Sequence, residues 1–231
     1  MSAPPVVSLD LDETLWEFRP MMDGALAETL AALHRRRPEV TWQLTVEQLH
    51  DLRAQVAAEQ VGTFEELRIE SFRRALLAHG VDDPELPGWM VAVWMEARLR
   101  TVRLHPDVEP ELDRLAAAGA VLGAITNGNF PFSRLPLARR FRFVVHAEQI
   151  GAAKPSPQPF LHAIELAGGS PQRWVHAGDD LESDVIGAQR AGLKAVWINR
   201  RGLPRPDGVR PDAELPSLDG LSETVRRLLA D

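Results

Sequence analysis

Asp10 and Asp12 stand two residues apart where an apolar run, Val6–Leu11, passes into Asp10-Leu11-Asp12-Glu13-Thr14-Leu15. In an extended chain, side chains two apart point the same way, so both carboxylates project together at the end of a buried strand. At about 4 Å two like charges repel by about 1 kcal/mol in water and about 4 kcal/mol at an effective dielectric of 20. Such a pair needs a cation, a shared proton or generous hydrogen bonding, unless it is an ordinary polar turn. A second acidic cluster, Gly178-Asp179-Asp180-Leu181-Glu182-Ser183-Asp184, follows another apolar run. Complementing a helix dipole would explain Asp184 alone. It would not explain two strand ends that both carry acids. Ligands of parallel sheets sit beyond the carboxyl ends of the strands. Asp10, Asp12 and Asp179 can converge there on a hard, oxygen-liganded cation such as Mg²⁺, which retains waters and shares a substrate phosphate.

Two further segments suit an anion. Ile125-Thr126-Asn127-Gly128-Asn129 offers a hydroxyl and small, turn-prone residues whose backbone N–H groups can face a phosphate, although Asn-Gly is also a common turn. Lys154 lies in Gly151-Ala152-Ala153-Lys154-Pro155-Ser156-Pro157, between a strand and a helix start, and is stiffened by two prolines.

The elements that must position these residues alternate. Short apolar runs at Val6–Leu11, Val121–Thr126, Phe143–His146, Trp174–Ala177 and Ala195–Asn199 predict buried parallel strands. Helical patterns at Val108–Ala118, Pro157–Ala167 (stopped by Gly168-Gly169) and Asp184–Ala191 separate the later ones. The alternation predicts an α/β fold, a doubly wound parallel sheet. About 110 residues lie between the first two strands, with helical patterns at Ala25–Arg36, Val46–Gln60, Phe64–His79 and Gly88–Arg100. A βαβ crossover needs little more than a dozen. The excess predicts an inserted helical subdomain over 17–102 and a discontinuous core, 1–16 plus 103–231. Arg200–Pro216 reads as an extended loop, and Leu218–Leu229 as a final helix packed back on the sheet.

The chain has 231 residues, net charge −7, 45% hydrophobic and 26% charged residues and no cysteine. A mildly acidic balance gives no general attraction for nucleic acid or anionic membranes. Disulfides, thiolate metal sites and a cysteine nucleophile are excluded. No leader pattern and no apolar window long enough to span a bilayer are present, so a cytoplasmic protein is expected.

Taken together, DLDETL, the Thr of ITNGN, the Lys of KPSP and GDDLESD resemble, in that order, the four motifs of the haloacid dehalogenase-like (HAD) hydrolases. The resemblance runs through the whole core, and the insert resembles that family's first type of helical cap. It implies a Rossmann-like sheet and a Mg²⁺-dependent phosphatase. Asp10 would be the nucleophile that forms an aspartyl-phosphate, and Asp12 the acid and base. Thr126, the Asn127 backbone and Lys154 would hold the phosphoryl group. The Asp10 carboxylate, the Asp12 carbonyl and Asp179 would hold the metal, with Asp184 in support. Asp180 would face metal-bound water or solvent.

Family members also include dehalogenases, which need no Mg²⁺ and lack the second acid of the first motif. Asp12 favours the phosphatase, because a halide leaves without a proton. Phosphomutases share the motifs, but no cap signature for one is visible. A phospho-switch without turnover would put its acceptor elsewhere in the motif order. HAGDDLESDVIGAQRAGLKAVWINR and the Trp-rich insert look similar to the subgroup with flavin mononucleotide phosphatases. The expected partner is a small-molecule phosphomonoester, with no nucleic acid and no membrane, for a monomer or homodimer. Trp16 and Phe18 suit either packing under the insert or a wall stacked on a flat ring, packing being simpler. Trp42, Trp89 and Trp94 suit the insert's core. Arg68 and Arg73 suit either a substrate anion or, more simply, a solvated helix face. No histidine shows metal spacing, and none is given a role.

Overall fold

The computed structural model describes residues 4–59, 62–168 and 170–230. It divides into two compact units: Phe18–Arg103 is one, and the stretches flanking it, through Glu17 and from Leu104, form the other.

The second of these is built on a six-stranded, all-parallel sheet. Its strands are β1 (Val6–Leu9), β2 (Val121–Thr126), β3 (Phe143–His146), β4 (Trp174–Gly178), β5 (Lys194–Ile198) and β6 (Ala213–Leu215), in the order β3-β2-β1-β4-β5-β6. β1 is central and every residue of it is buried, which is why it reads as an unbroken apolar run, with Ser8 the exception. Its register sets Leu9 against Ala124 of β2 and Ala177 of β4. Strand order reverses direction at β1, so the crevice of the sheet opens where β1 and β4 end. Gly123 in β2 lets the Phe143 ring lie across it: a Cβ there would fall 1.9 Å from that ring.

The helices of this unit are α5 (Val108–Ala117), α6 (Ala147–Ile150), α7 (Gln158–Ala167), α8 (Gly187–Arg190) and α9 (Leu221–Leu228). α7 ends at Gly168 in the left-handed conformation. The expected Gly169 of that stop lies outside the described residues. Three sequence expectations need correction. Asp184–Ala191 is not one α-helix; Leu181–Ile186 is π-helical and α8 follows it. The Arg200–Pro216 stretch is not all loop, because its end pairs with β5 as β6. The final helix begins at Leu221, three residues later than its apolar pattern suggested, after a left-handed Gly220.

α5 and α9 are joined by carboxylates. Asp107 accepts from Leu218 N–H at 2.5 Å and from both terminal nitrogens of Arg200, at 3.2 and 2.8 Å. Glu111 accepts from Ser222 N–H and from Arg114, each at 2.5 Å. Burial opposes ionisation of both acids, but these bonds outweigh it and hold both below the usual carboxylate range. Groups depressed on folding add stability above their unfolded value, about 4, which is lost as pH falls through the folded value. The contribution of these two acids to thermal stability should therefore be intact above about pH 5 and be lost below about pH 4. Asp107→Asn should lower stability at pH 7 by about 1–3 kcal/mol and blunt the acid-side fall. An unchanged acid limb in that variant would exclude Asp107 as its source.

The helical unit holds α1 (Phe18–Arg36), α2 (Val46–Ala58), α3 (Phe64–Leu77) and α4 (Leu86–Thr101). The end predicted for α2, Gln60, lies outside the described residues. Thr45 with Gln48, and Thr63 with Glu66, form reciprocal capping boxes that start α2 and α3. Met21, Met22, Leu26, Phe72, Met90 and Trp94 are among its core. Trp42 and Trp89 are half-exposed instead. Trp42 stacks on His34 and lies against His79. Arg73 pairs with Glu70 on the surface. Arg68, in contrast to the solvated-face expectation, is 9% exposed and lies over the Trp94 ring at 4.6 Å. The indole face holds the guanidinium where helix periodicity alone would leave it in water. Among the described residues no helix is long and apolar enough to cross a membrane.

Candidate active site

All the residues singled out for chemistry line one cavity of about 250 Å³ at the carboxyl ends of β1, β2 and β4: Asp10, Asp12, Thr126, Asn127, Lys154, Asp179, Asp180 and Asp184. Gly128 and Ser183 complete the wall. A larger cavity of about 460 Å³ lies at the other end of the strands, near Pro5, Ala120 and Arg173, and lacks the acidic set.

Lys154 is the hub. It is buried, and its Nζ donates to Asp10 Oδ1 at 2.6 Å, Asp184 Oδ1 at 2.5 Å and the Ile125 carbonyl at 2.8 Å. An ammonium has three donors, and all are used. Burial works against its charge, but the two carboxylates outweigh this and raise its pKa above the ordinary lysine range. Asn127 fixes the lysine's backbone. Its side-chain amide donates to the Lys154 carbonyl at 2.9 Å, and its Oδ1 accepts from Lys154 N–H at 2.8 Å. The sequence pointed only to the Asn127 backbone; this clamp is an addition.

Asp12 is anchored by Trp16. Its Oδ1 accepts from the Trp16 indole N–H at 2.8 Å. Trp16 is fully buried and packs on Phe130 and Phe132, 5.0 and 6.2 Å away by ring centroids. The chain reaches this arrangement through Glu13, the one non-glycine with positive φ (63°) among the described residues. That conformation costs about 1–2 kcal/mol. Asp12 Oδ2 lies over Gly128, where a Cβ would come within 2.8 Å of it. Gly128 N–H donates to the Thr126 hydroxyl at 3.0 Å, which leaves the hydroxyl proton for an anion.

The acidic cluster of β4 divides its tasks. Asp180 accepts from Ser183 N–H at 2.7 Å and caps the π-helical turn. Asp184 accepts from Asp180 N–H through Oδ2 at 3.0 Å, and from Lys154 and His176 through Oδ1. A Cβ on Gly178 would lie 2.2 Å from Asp184, so this close approach depends on glycine. Burial opposes ionisation of Asp184, but Lys154 and His176 prevail and hold its carboxyl below the usual range. Asp10 goes the other way: burial pushes its carboxyl well above that range, against Lys154. Asp179 is pushed up to about 7, by burial first and then by Asp184 and Glu13. Its nearest cationic contact is Arg201, 3.7 Å away.

His176 is the residue that sequence reasoning passed over. It is wholly buried on β4, directly opposite Ser8. Burial pulls its imidazole below the usual range, so the ring is neutral. Trp174 N–H donates to Ser8 Oγ at 2.9 Å; the Asp184 carboxylate can only accept at Nε2, so the neutral ring accepts the Ser8 hydroxyl proton at Nδ1, at 2.8 Å. Nε2 therefore carries the proton and donates to Asp184 at 3.2 Å. A histidine inside an otherwise apolar strand was the signal available.

Asp10, Asp179 and Asp184 each bring a carboxylate oxygen within 4.8 Å of the others. An all-oxygen donor set, with negative charge that Lys154 alone does not balance, fits a hard divalent cation. Both Asp184 oxygens already accept protein hydrogen bonds, which leaves Asp10 and Asp179 as the freer donors.

A family model for haloacid dehalogenase-like hydrolases matches residues 5–192. Glyceraldehyde 3-phosphate phosphatase of Methanopyrus kandleri is 30% identical, over 97% of this chain and 98% of that protein. Phosphoserine phosphatase of Thermus thermophilus is 29% identical, over 91% and 94%. A crystal structure titled 2-haloacid dehalogenase, from Pseudomonas syringae pv. Tomato DC3000, is 35% identical, covers 97% of this chain and 99% of its own, and superposes with a TM-score of 0.83.

Proposed function

The chain belongs to the haloacid dehalogenase-like hydrolases and is an enzyme acting on phosphoric esters; from that premise we propose that it hydrolyses the phosphomonoester of a small metabolite through an aspartyl-phosphate on Asp10. The observation that carries this reading is the meeting of Asp10, Asp12, the Thr126 hydroxyl and the Lys154 ammonium around one cavity. The Asp10 oxygen not held by Lys154 attacks phosphorus, and the bond to the ester oxygen breaks. Asp12 gives its proton to the departing alkoxide. Its carboxylate then takes a proton from water, whose oxygen attacks the phosphorus. The bond to Asp10 breaks and inorganic phosphate leaves.

Thr126 and the Asn127 backbone hold phosphoryl oxygens, and Lys154 fixes the nucleophile and offsets charge as it shifts. Asp10 and Asp179 carboxylates with the Asp12 carbonyl would hold Mg²⁺, which when bound neutralises phosphoryl and carboxylate charge. The helical unit, as the family's cap, would set the substrate range.

The dehalogenase title of the similar crystal structure favours a second reading, hydrolysis of a carbon–halogen bond by Asp10. A halide leaves without a proton, so that reaction gives Asp12 no task. One experiment separates the two: phosphate release from p-nitrophenyl phosphate with Mg²⁺ or EDTA, beside halide release from 2-chloropropionate. Metal-dependent phosphate release without halide release is expected. Metal-independent halide release alone would overturn the proposal.

Trp16 gives a finer check. Trp16→Phe keeps the ring packing but removes the donor to Asp12. A hydrogen bond to a charged group is worth about 1.5–3 kcal/mol, so kcat should fall roughly ten- to a hundredfold with KM nearly unchanged. A raised KM at constant kcat would show that Trp16 serves binding instead.

A further inference from the structure

Asp12 is carried by a turn that its own residues do not favour. Glu13 sits at φ 63°, a left-handed conformation that persists only where the surroundings impose it. Two bonds close the turn on itself: Glu13 N–H donates to the Trp16 carbonyl and Leu15 N–H to the Leu11 carbonyl, each at 2.8 Å. Two braces reach it from far along the chain. His105 N–H donates to the Leu15 carbonyl at 2.9 Å. Arg200, 186 residues beyond Thr14, donates to the Thr14 carbonyl from Nε at 3.3 Å and from Nη2 at 3.0 Å. A guanidinium is a planar fork with its N–H groups in fixed directions. One edge of this one grips that carbonyl, and its end grips the Asp107 carboxylate at 3.2 and 2.8 Å. Asp107 is held in turn by Leu218 N–H. The Arg200 and Asp107 side chains are 16% and 6% exposed, so the double grip is largely shielded from water, a setting in which charge-assisted bonds hold best. Arg200 does not line the catalytic cavity. An ion pair alone would tie the loop after β5 to α5. It would not also need the Nε edge turned on a carbonyl next to the strained residue.

We propose that Arg200 is a positioning residue for the acid–base step: braced by Asp107, its guanidinium holds the Thr14 carbonyl and keeps the left-handed turn that aims Asp12. Without that hold the turn relaxes at Glu13, and the Trp16 indole loses its place against Asp12 Oδ1. Asp10, Lys154 and Asp184 are bonded to one another through a separate network and keep their geometry. The loss therefore falls on proton transfer to the leaving group and spares phosphoryl binding. The catalytic half of this proposal rests on the phosphatase reading above; the hold on the turn does not.

The test is a cycle in the whole chain: wild type, Arg200→Met, Glu13→Gly and the double variant. The first readout is hydrogen exchange of the Trp16 indole N–H by heteronuclear NMR, its signal assigned with Trp16→Phe. The second is kcat and KM for phenyl phosphate, whose leaving group needs a proton, and for p-nitrophenyl phosphate, whose leaving group does not. Arg200→Met should speed indole exchange about tenfold and lower kcat for phenyl phosphate by roughly as much, with KM nearly unchanged and a smaller loss on p-nitrophenyl phosphate. Glycine adopts the left-handed conformation without strain, so in the Glu13→Gly background the same substitution should cost only about twofold on either readout. Equal losses in the two backgrounds, equal losses on the two esters, or indole exchange unmoved by Arg200→Met would overturn the proposal. Arg200→Lys can meet Asp107 but cannot fork two acceptors, so it should reproduce the loss, and it carries the test if the methionine variant does not fold. If wild type releases phosphate from neither ester, the phosphatase reading falls, and the indole cycle alone upholds or overturns the hold on the turn.

Discussion

Asp10→Asn is expected to remove phosphate release while leaving the protein folded. The amide matches the carboxylate in shape, and its oxygen can still accept from Lys154. What it loses is the charged oxygen that attacks phosphorus. Loss of a nucleophile lowers turnover by roughly four to six orders of magnitude. Stability should change little, because Asp10 is one of three carboxylates crowded within 4.8 Å and its removal relieves repulsion. Lys154 keeps its bonds to Asp184 and Ile125. Phosphate release in single and multiple turnover, with a thermal melt, reads both effects. Turnover within tenfold of wild type would remove Asp10 from its proposed role.

Lys154→Met carries the second large effect, and it falls on stability as well as rate. The substitution keeps a long apolar stem but leaves Asp10 and Asp184 buried without their shared cation. Breaking a buried pair in this way costs about 3–5 kcal/mol. In a chain of this size that is roughly 6–20 °C in melting temperature. The sign in pH follows from the raised lysine pKa: its contribution is fully present below about pH 10 and lost as pH rises beyond the folded value, so wild type holds all of it at neutrality. Lys154→Met combined with Asp184→Asn should recover much of the melting temperature, because one stranded charge is gone, yet none of the activity. Equal melts for wild type and Lys154→Met would show that the cluster is balanced by other groups.

What the sequence displays and what it conceals follow from distance along the chain. Asp10, Thr126 and Asp179 each follow an apolar run, so a local pattern marks them. Asp12 is marked by its spacing from Asp10. Contacts made across the sheet leave no such mark. His176 faces Ser8 only because β1 and β4 pair in that register. β6 is three residues long and is a strand only because β5 lies beside it. The bond from Trp16 to Asp12 spans four residues but rests on the left-handed Glu13, a conformation that residue type does not advertise. Arg68 misled for a related reason: charge and helix spacing suggested water, and the Trp94 ring overrode both.

β1 is the middle of the sheet and the earliest of its strands in the chain. During synthesis its apolar residues emerge with nothing to pair against until β2 has been made, after Val121. At 5–20 residues per second that interval is roughly 5–25 s. α1 to α4 are translated within it, and most of their contacts are made with one another. The nascent chain thus carries the helical segment while the strand has both edges open, and Asp10 and Asp12 follow at the end of that strand. The wait is longest for Asp10, whose lysine is 144 residues downstream. Vulnerability to mispairing on the ribosome is therefore built into the strand order that assembles the candidate site.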